Sequence, residues 1–383
     1  MRDQLIKYGQ QDITDSDIQE VVNVLRSEYL TQGPAVEAFE TAVANYCEAN
    51  HAIATNSATS ALHIACLALG LGSGDSLWTS PNTFVASANC ALYCGAKIDF
   101  VDIDPIFHNL CPDKLEEKLI KAKKTGDLPK IVIPVHYSGQ PCDMERIYKL
   151  SLEYGFKIIE DASHAIGAKY LEDPVGNCRF SSATVFSFHP VKIITSGEGG
   201  MITTNDPNLA STLTALRQHG IIRPTNSEKK PCFYEQVMLG YNYRMTDIHA
   251  ALGRSQLLRV DNYVKTRNKL AKGYQELLSD LPLALPRFNA KSLSSLHLYP
   301  VELQESAHIQ RDKLIKELHA QRILVNVHYI PVHTHPFYAA LGFKLGDFPN
   351  SERFYQRMIT LPLHPHLTLI DQAEIADCVR TFI

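Results

Sequence analysis

The sequence has no strong charge bias and no long apolar run. Its 383 residues carry a formal net charge of -4 and contain no block of basic residues. Nothing therefore favours binding to nucleic acid or to an anionic membrane surface. The longest mostly apolar stretch, residues 61–71, is too short to cross a bilayer, and the first seven residues lack the apolar core of a signal peptide. We expect a cytoplasmic protein with no nucleic-acid partner and no membrane partner.

Regular cysteine spacing is also missing. The nine cysteines are scattered, and their odd number argues against a disulfide framework. Cys90 and Cys94 are spaced by one helical turn, but no second pair completes a zinc site. The glycine-rich signatures of dinucleotide-binding folds and P-loop NTPases are absent as well. The sequence thus predicts a protein of a reducing compartment that is neither a typical Rossmann dehydrogenase nor an NTPase.

What the sequence does contain is an alternation of short β-branched runs with amphipathic helices between residues 51 and 160. This alternation predicts right-handed βαβ crossovers and a mainly parallel sheet with helices on both faces, an α/β fold. The chain is longer than one ordinary core supports, so we expect two domains. We place a large domain at residues 1–250 and a smaller α+β domain at residues 251–383, which includes most of a linking helix at residues 246–274.

Other local patterns give narrower expectations. A helix is predicted at residues 83–94, opened by Phe84, and strands are predicted at residues 295–301 and 324–328. The polar segment at residues 224–234 is predicted to be a mobile loop.

Lys192 is the strongest candidate for a catalytic residue. It lies between Val191 and the pair Ile193–Ile194, and glycines follow shortly after it. Burial among apolar residues disfavours the ammonium form, and a nucleophilic Schiff-base lysine requires a lowered pKa. A lysine that only extends from a hydrophobic patch to solvent is the commoner arrangement, so the assignment depends on its companions.

Three features accompany Lys192. The turn at residues 56–60 joins a strand to a helix, where hydroxyls and free amides suit a phosphate, although such residues also cap helices for structural reasons alone. Asp161 ends an apolar strand and could pair with a pyridinium nitrogen, or simply cap a helix. Phe84 could lie flat on a planar cofactor, or pack in the core. In this order, the four features are typical of fold-type I pyridoxal-phosphate enzymes.

Several longer motifs carry a family resemblance that spans almost the whole chain. They are the stretches at residues 30–34, 136–141, 160–167, 187–192, 197–200 and 240–245. On these motifs the chain resembles the DegT/StrS family of nucleotide-sugar aminotransferases. The resemblance implies an aspartate-aminotransferase-like large domain, a smaller C-terminal domain, pyridoxal 5'-phosphate as cofactor, and a homodimer with shared active sites.

Residues 80–89 and 325–333 most closely resemble the family branch of pseudaminic acid biosynthesis. This resemblance implies amination at C4 of a UDP-linked 4-keto-6-deoxy-N-acetylhexosamine, with L-glutamate as the amino donor.

The resemblance also implies roles for individual residues. Lys192 would form the Schiff base and carry protons, Asp161 would pair with the pyridine nitrogen, Phe84 would stack on the ring, and His164 would lie beside it. The phosphate would contact Ala58, Thr59 and Ser187, with Asn242 reaching it from the partner subunit. The nucleotide sugar would contact Tyr8, Leu30, Thr31, Gln32, Ser57, His328, Tyr329, Ile330 and Pro331. Many relatives have Gly-Thr where this chain has Ala58–Thr59, which affects only the detailed phosphate geometry.

Several alternatives remain open at this level. The enzyme could act on another nucleotide-linked keto sugar, or the chain could be a non-catalytic sugar-sensing regulator on the same fold. A C3-dehydratase is disfavoured, because related dehydratases replace the Schiff-base lysine with histidine. His328, His333 and His335 are close in sequence, but prolines interrupt them, so no metal site is expected.

Overall fold

The structure is a computed structural model that describes residues 5–222 and 233–383. Of the loop predicted at residues 224–234, residues 224–232 lie outside the described part of the chain. The strands within the described residues are, in chain order, β1 (His51–Thr55), β2 (Ser76–Thr79), β3 (Lys97–Phe100), β4 (Ile131–Ile133), β5 (Lys157–Asp161), β6 (Lys169–Tyr170), β7 (Asp173–Pro174), β8 (Ala183–Ser187), β9 (Gly200–Thr204), β10 (Ile221–Ile222), β11 (Glu235–Gln236), β12 (Leu283–Ala284), β13 (Ser292–Leu293), β14 (Tyr299–Leu303) and β15 (Met358–Leu361).

The helices pack around these strands and between them. Within the described residues they are, in chain order, α1 (Asp15–Leu25), α2 (Pro34–Cys47), α3 (Ala58–Ala68), α4 (Ala86–Tyr93), α5 (Pro112–Thr125), α6 (Met144–Tyr154), α7 (Pro207–Arg217), α8 (Asp247–Leu257), α9 (Val260–Leu277), α10 (Arg311–Ala320), α11 (Pro336–Ala339), α12 (Pro349–Arg357) and α13 (Leu369–Phe382).

A seven-stranded sheet forms the centre of the molecule, in the order β1-β9-β8-β5-β4-β2-β3. The pairs β3–β2, β2–β4, β4–β5 and β5–β8 are parallel, whereas β9 is antiparallel to both of its neighbours. The predicted mainly parallel sheet is therefore confirmed. Because only β9 runs in the opposite direction, its first residue, Gly200, lies at the same edge as the carboxyl ends of the other strands.

Helices cover both faces of the sheet, as the apolar runs predict. Ile131 and Ile133 pack in one cluster with side chains of α3, α4 and α7, while Val132 packs on the opposite face with side chains of α5 and α6. Strands that are buried on both faces show continuous rather than alternating hydrophobicity, and β4 and β8 are buried at every residue.

A separate apolar core lies in the C-terminal part of the chain. It joins the inner faces of α9, α10 and α13 to the small antiparallel sheet β12-β14-β15. Ile6, from the opposite end of the chain, packs into this core and forms a parallel bridge with Ile323. The N-terminal segment is therefore fixed against the C-terminal part, and Tyr8, two residues after Ile6, lines the cleft between the two cores.

The single helix predicted at residues 246–274 is wrong in detail, because two helices, α8 and α9, occupy this region. No proline or glycine marks the break between them at Leu258–Arg259. Instead, the Arg259 guanidinium donates to the buried carboxylate of Asp17 in α1 at 2.6 Å. This distant ion pair, which local sequence cannot reveal, holds the start of α9 against α1.

Three further boundaries differ from the predictions. Phe84 precedes α4, which begins at Ala86 rather than residue 83. The strand predicted at residues 295–301 begins at Tyr299, because the carbonyls of Leu296 and His297 accept hydrogen bonds from buried Arg267. At residues 324–328 the chain forms an isolated bridge from Asn326 to β15 rather than a strand.

Candidate active site

The carboxyl ends of the parallel strands line a cavity of about 540 Å³ between the two cores. Open α/β sheets gather ligands at this edge. The cavity brings together eleven of the residues predicted from sequence, which are Tyr8, Ser57, Ala58, Thr59, Phe84, Asp161, His164, Ser187, Lys192, His328 and Tyr329.

Lys192 lies in the connection of residues 188–199 that joins the antiparallel strands β8 and β9. The ends of this connection are tied together, since the Phe188 amide donates to the Gly199 carbonyl and the Ser196 amide donates to the Phe188 carbonyl. The loop therefore presents Lys192 at the sheet edge. Burial of the amine lowers the pKa of Lys192 to about 8, partly opposed by the charge of Asp161. A neutral, nucleophilic amine is thus accessible near physiological pH.

Asp161 ends β5 and is almost completely buried. Its Oδ2 accepts a hydrogen bond from the Ser87 hydroxyl at 2.6 Å, and its Oδ1 accepts one from the Ser163 amide at 3.0 Å. Each carboxylate oxygen can accept more than one hydrogen bond. Asp161 can therefore also bind a protonated nitrogen of a ligand in the cavity.

The first turn of α3 also lines the cavity. Ser57 caps this helix by accepting the Ser60 amide at 3.1 Å, and the amides at a helix start have no acceptor one turn earlier. Gly200 of β9 packs directly beneath, since a Cβ there would lie 2.6 Å from the Ala58 nitrogen. Together with Ser187 at the end of β8, this turn is suited to bind a phosphate.

His164 belongs to a group of neutral imidazoles near Lys192. Burial, together with the nearby Lys192 and His328, holds the pKa of His164 well below its usual range. The pKa of His328 is lowered to about 3, again mainly by burial. The Nε2 of His164 lies 3.0 Å from the Tyr329 hydroxyl, and the ring centre of His297 lies 4.5 Å from that of His164. These side chains provide polar but uncharged groups around the lysine.

The aromatic side chains complete the cavity. Phe84 remains 60% exposed, so its ring is accessible to a ligand rather than packed in the core. Its centroid lies 6.2 Å from that of Tyr329, and the ring of Tyr8 lies 5.2 Å from that of His328. The Tyr137 hydroxyl donates to the His328 carbonyl at 2.6 Å and holds this segment in place.

Some predicted site residues lie outside this cavity. Leu30 and Thr31 pair with the start of α8, since the Leu30 carbonyl accepts a hydrogen bond from the Asp247 amide and Thr31 bridges to Thr246. Gln32 lines a separate groove of about 460 Å³ that also contains Arg217 and Arg244. Asn242 is exposed and bridges to Gln218 near this groove. Ile330 and Pro331 follow Tyr329 but are not among the residues that line the cavity.

The structure also adds residues that the sequence patterns missed. Ser87 and Thr83 are paired hydroxyls four residues apart, a spacing that could have indicated a shared face. His297 has no comparable signal, because only the packing of the C-terminal core brings it to His164. The histidines considered for a metal site are separated, and buried His333 pairs with Glu352 at 2.9 Å. Within residues 5–222 and 233–383, no group of three or more potential ligands is arranged to hold a metal ion. No helix in the same ranges is long and apolar enough to cross a membrane.

The residues of the cavity fit pyridoxal phosphate. A lysine with a lowered pKa, a buried carboxylate that can accept another hydrogen bond, an accessible aromatic ring and a helix start with free amides match the cofactor's aldehyde, ring nitrogen, ring face and phosphate. Because Gly200 has no side chain, the turn at Ala58 can lie as close to β9 as a phosphate-binding turn requires.

Comparisons with known proteins agree with this fit. The family model described as the DegT/DnrJ/EryC1/StrS aminotransferase family matches residues 11–380. A Campylobacter jejuni UDP-4-amino-4,6-dideoxy-N-acetyl-beta-L-altrosamine transaminase is 36% identical over 382 residues, which cover 99% of this chain and 98% of the relative.

Two solved structures have the same fold over nearly their full length. Helicobacter pylori PseC, an aminotransferase involved in the biosynthesis of pseudoaminic acid, has a TM-score of 0.91 and 32% identity, with 99% of each chain covered. The PLP-form of the putative sugar aminotransferase Spr1654 from Streptococcus pneumoniae has a TM-score of 0.90 and 28% identity, with 99% of this chain and 98% of that chain covered.

Proposed function

Because this chain belongs to the DegT/DnrJ/EryC1/StrS family of pyridoxal-phosphate-dependent sugar aminotransferases, we propose that it aminates C4 of a UDP-linked 4-keto-6-deoxy-N-acetylhexosamine. The amino donor in this proposal is L-glutamate, and the product is a precursor of pseudaminic acid. The substrate assignment is supported by similarity to the Campylobacter jejuni transaminase and to Helicobacter pylori PseC. We place the reaction in the cytoplasm, in keeping with the scattered cysteines.

The observation that carries the catalytic part of the proposal is that Lys192 and Asp161 line one cavity, where the charge of Asp161 acts on the Lys192 amine. Bound pyridoxal phosphate supplies the electron sink that makes exchange of an amino group possible. We assign Lys192 to bind the cofactor and to accept and return a proton at Nζ. Asp161 holds a proton at the cofactor's ring nitrogen, and Phe84 orients the ring by stacking.

The remaining residues bind and orient the substrates. The amides of Ala58 and Thr59 and the hydroxyl of Ser187 hold the phosphate. His164, neutral because it is buried, offers a hydrogen bond beside the ring without adding charge. Tyr8, Ser57, His328 and Tyr329 form the wall at which we place the sugar.

A homodimer would explain why some of the predicted site residues lie outside the cavity. Gln32 lines a groove on the molecular surface together with Gln218, to which Asn242 is bridged, and Thr31 is bridged to Thr246. We propose that this surface faces the cavity of a second copy, so that Asn242 contacts the partner's cofactor phosphate. Ile330 and Pro331 would then lie at the outer end of the sugar site. A two-fold arrangement creates two equivalent shared sites.

The substrate assignment is tested with a panel of nucleotide-linked keto sugars. The purified holoenzyme is incubated with L-glutamate and each sugar, and 2-oxoglutarate and the amino sugar are quantified. We expect turnover with the UDP-linked N-acetyl 4-keto-6-deoxy sugar and amination at C4. If the enzyme preferentially turns over a GDP-linked or dTDP-linked sugar, the proposed substrate is wrong. Bound cofactor without turnover of any sugar would favour the regulator interpretation.

A further inference from the structure

Ser87 contacts the carboxylate on which the proposed chemistry depends. It lies in the first turn of α4 and is 1% exposed. Its hydroxyl oxygen lies 2.6 Å from Asp161 Oδ2 and 2.8 Å from the Thr83 hydroxyl oxygen. Thr83 is also buried. A chain of two hydroxyls therefore leads to Asp161 from the side of α4.

The number of available protons decides which hydroxyl is the donor in each of these two hydrogen bonds. An ionised carboxylate only accepts hydrogen bonds, and a serine hydroxyl has a single proton to donate. When Ser87 donates that proton to Asp161, the contact with Thr83 is made only if Thr83 donates to Ser87. The order is thus Thr83 to Ser87 to Asp161. A protonated Asp161 could instead donate to Ser87 and would reverse the order.

The same contact fixes the orientation of Asp161. Ser87 holds Oδ2, and the Ser163 amide holds Oδ1 at 3.0 Å. With one donor on each oxygen, the carboxylate has little freedom to rotate, and its remaining acceptor capacity faces the cavity that it lines. The Ser163 contact comes from the backbone and follows from the turn itself. The Ser87 contact is made by a side chain.

We propose that Ser87, supported by Thr83, is a positioning residue that keeps the Asp161 carboxylate aimed at the ring nitrogen of the cofactor. This proposal rests on the function proposed above and extends it to two residues that have no role in it. Without the hydroxyl, Asp161 loses a charge-assisted hydrogen bond. The proton on the ring nitrogen is then held less strongly, and proton transfer at Lys192 slows while sugar binding is unaffected.

The test compares Ser87→Ala with Ser151→Ala, its matched control. Ser151 is also a buried helical serine, its hydroxyl donates to the Tyr148 carbonyl three residues earlier, and it is not among the residues that line the cavity. Holoenzymes are loaded with pyridoxal phosphate labelled with 15N in the ring. Solid-state 15N spectra then report whether the ring nitrogen is protonated, without any sugar substrate. The holoenzyme of Asp161→Asn gives the reference 15N signal for a ring nitrogen without its carboxylate partner.

For Ser87→Ala we expect the 15N signal to move toward that of Asp161→Asn. We also expect kcat to fall about 10- to 100-fold with little change in KM, the range for losing a hydrogen bond to a charged group. Thr83→Val should give a smaller change in the same direction, and no further change when added to Ser87→Ala. Ser151→Ala should match the wild type in both measurements.

An unchanged 15N signal and unchanged kcat in Ser87→Ala would overturn the proposal. If Ser87→Ala does not fold, Thr83→Val carries the test, and a wild-type 15N signal in that variant would overturn the proposal instead. The spectra separate this inference from the substrate assignment. A shifted signal in an enzyme that aminates none of the sugars supports the role of Ser87 while the proposed function fails.

Discussion

Lys192 combines a polar function with an apolar location. Ile193 and Ile194, which follow it, are buried, and Lys192 lines the same cavity as Asp161. Desolvation disfavours the charged amine, whereas the carboxylate favours it. Desolvation is the larger effect, and the amine can therefore bind a carbonyl compound at a pH where an exposed lysine is almost fully protonated.

Replacing Lys192 tests this at the level of one residue. Lys192→Ala should reduce transamination by at least about 10²- to 10⁴-fold, because a positioned proton carrier is lost. Borohydride reduction should also leave no cofactor attached to the chain. Lys149→Ala, which removes an exposed lysine paired with Glu145, is the control and should retain full activity. A reduced cofactor found on a peptide with another lysine would contradict the assignment.

The pH dependence of cofactor attachment tests the lowered pKa itself. Only the neutral amine reacts, so the rate at which cofactor-free protein takes up pyridoxal phosphate should rise with pH through a midpoint near 8. An unperturbed lysine would give a midpoint near 10.5. Stopped-flow absorbance between pH 6 and 11 measures the rate. A rise centred above about 10 would show that burial does not control this amine.

At the scale of elements, the first turn of α3 and the start of β9 approach closely at the turn for which we propose phosphate binding. Ser57 provides the cap, Ser187 provides a hydroxyl from β8, and Gly200 provides the space. The antiparallel direction of β9 is essential here, since it places Gly200, rather than the far end of the strand, at this edge.

Substitution of Gly200 tests this contact between elements. In Gly200→Ala the added Cβ would lie 2.6 Å from the Ala58 nitrogen, so the first turn of α3 must move. We expect a loss of about 1–3 kcal/mol in the free energy of unfolding, the usual cost of overpacking, and weaker cofactor binding. Gly72→Ala is the control, because a Cβ there meets no atom within 4 Å. Thermal unfolding and cofactor titration of both variants make the comparison. Equal behaviour of the two variants would show that the close approach is not needed.

At the scale of the whole molecule, one chain provides a cavity and, elsewhere, a surface with the remaining predicted residues. Lys192 and Asp161 line the cavity, whereas Asn242 lies outside it and is exposed. A two-fold dimer would bring the surface around Asn242 of one copy to the cavity around Lys192 of the other.

Mixed dimers test whether the sites are shared. Homodimers of Lys192→Ala should be inactive and those of Asn242→Ala impaired. After equal mixing and subunit exchange, half of the dimers are heterodimers, and one of their two sites has both intact residues. About one quarter of all sites should therefore be intact, and activity should return to about one quarter of the wild-type value. Differently tagged subunits allow the heterodimers to be isolated and assayed for 2-oxoglutarate formation. Confirmed heterodimers with no gain in activity would contradict a shared site.

The sequence by itself determined the α/β class, the cofactor and the main residues of the cavity. This was possible because burial of both sheet faces requires continuous apolar strands, and because Asp161 and the turn at Ala58–Thr59 follow apolar strand-like runs while Lys192 lies within a family motif. The apolar neighbours of Lys192 and Asp161 marked both as candidates, but their assignment depended on the companion features and on the family resemblance.

Only the tertiary structure decided how distant segments complete the site. His297 reaches His164 because Arg267 binds the carbonyls of Leu296 and His297 within the C-terminal core. The break between α8 and α9 depends on the ion pair of Arg259 with Asp17. Ser87 gains its role through a hydrogen bond to a residue on another element. Such contacts join groups far apart in the chain, and local propensity carries no information about them.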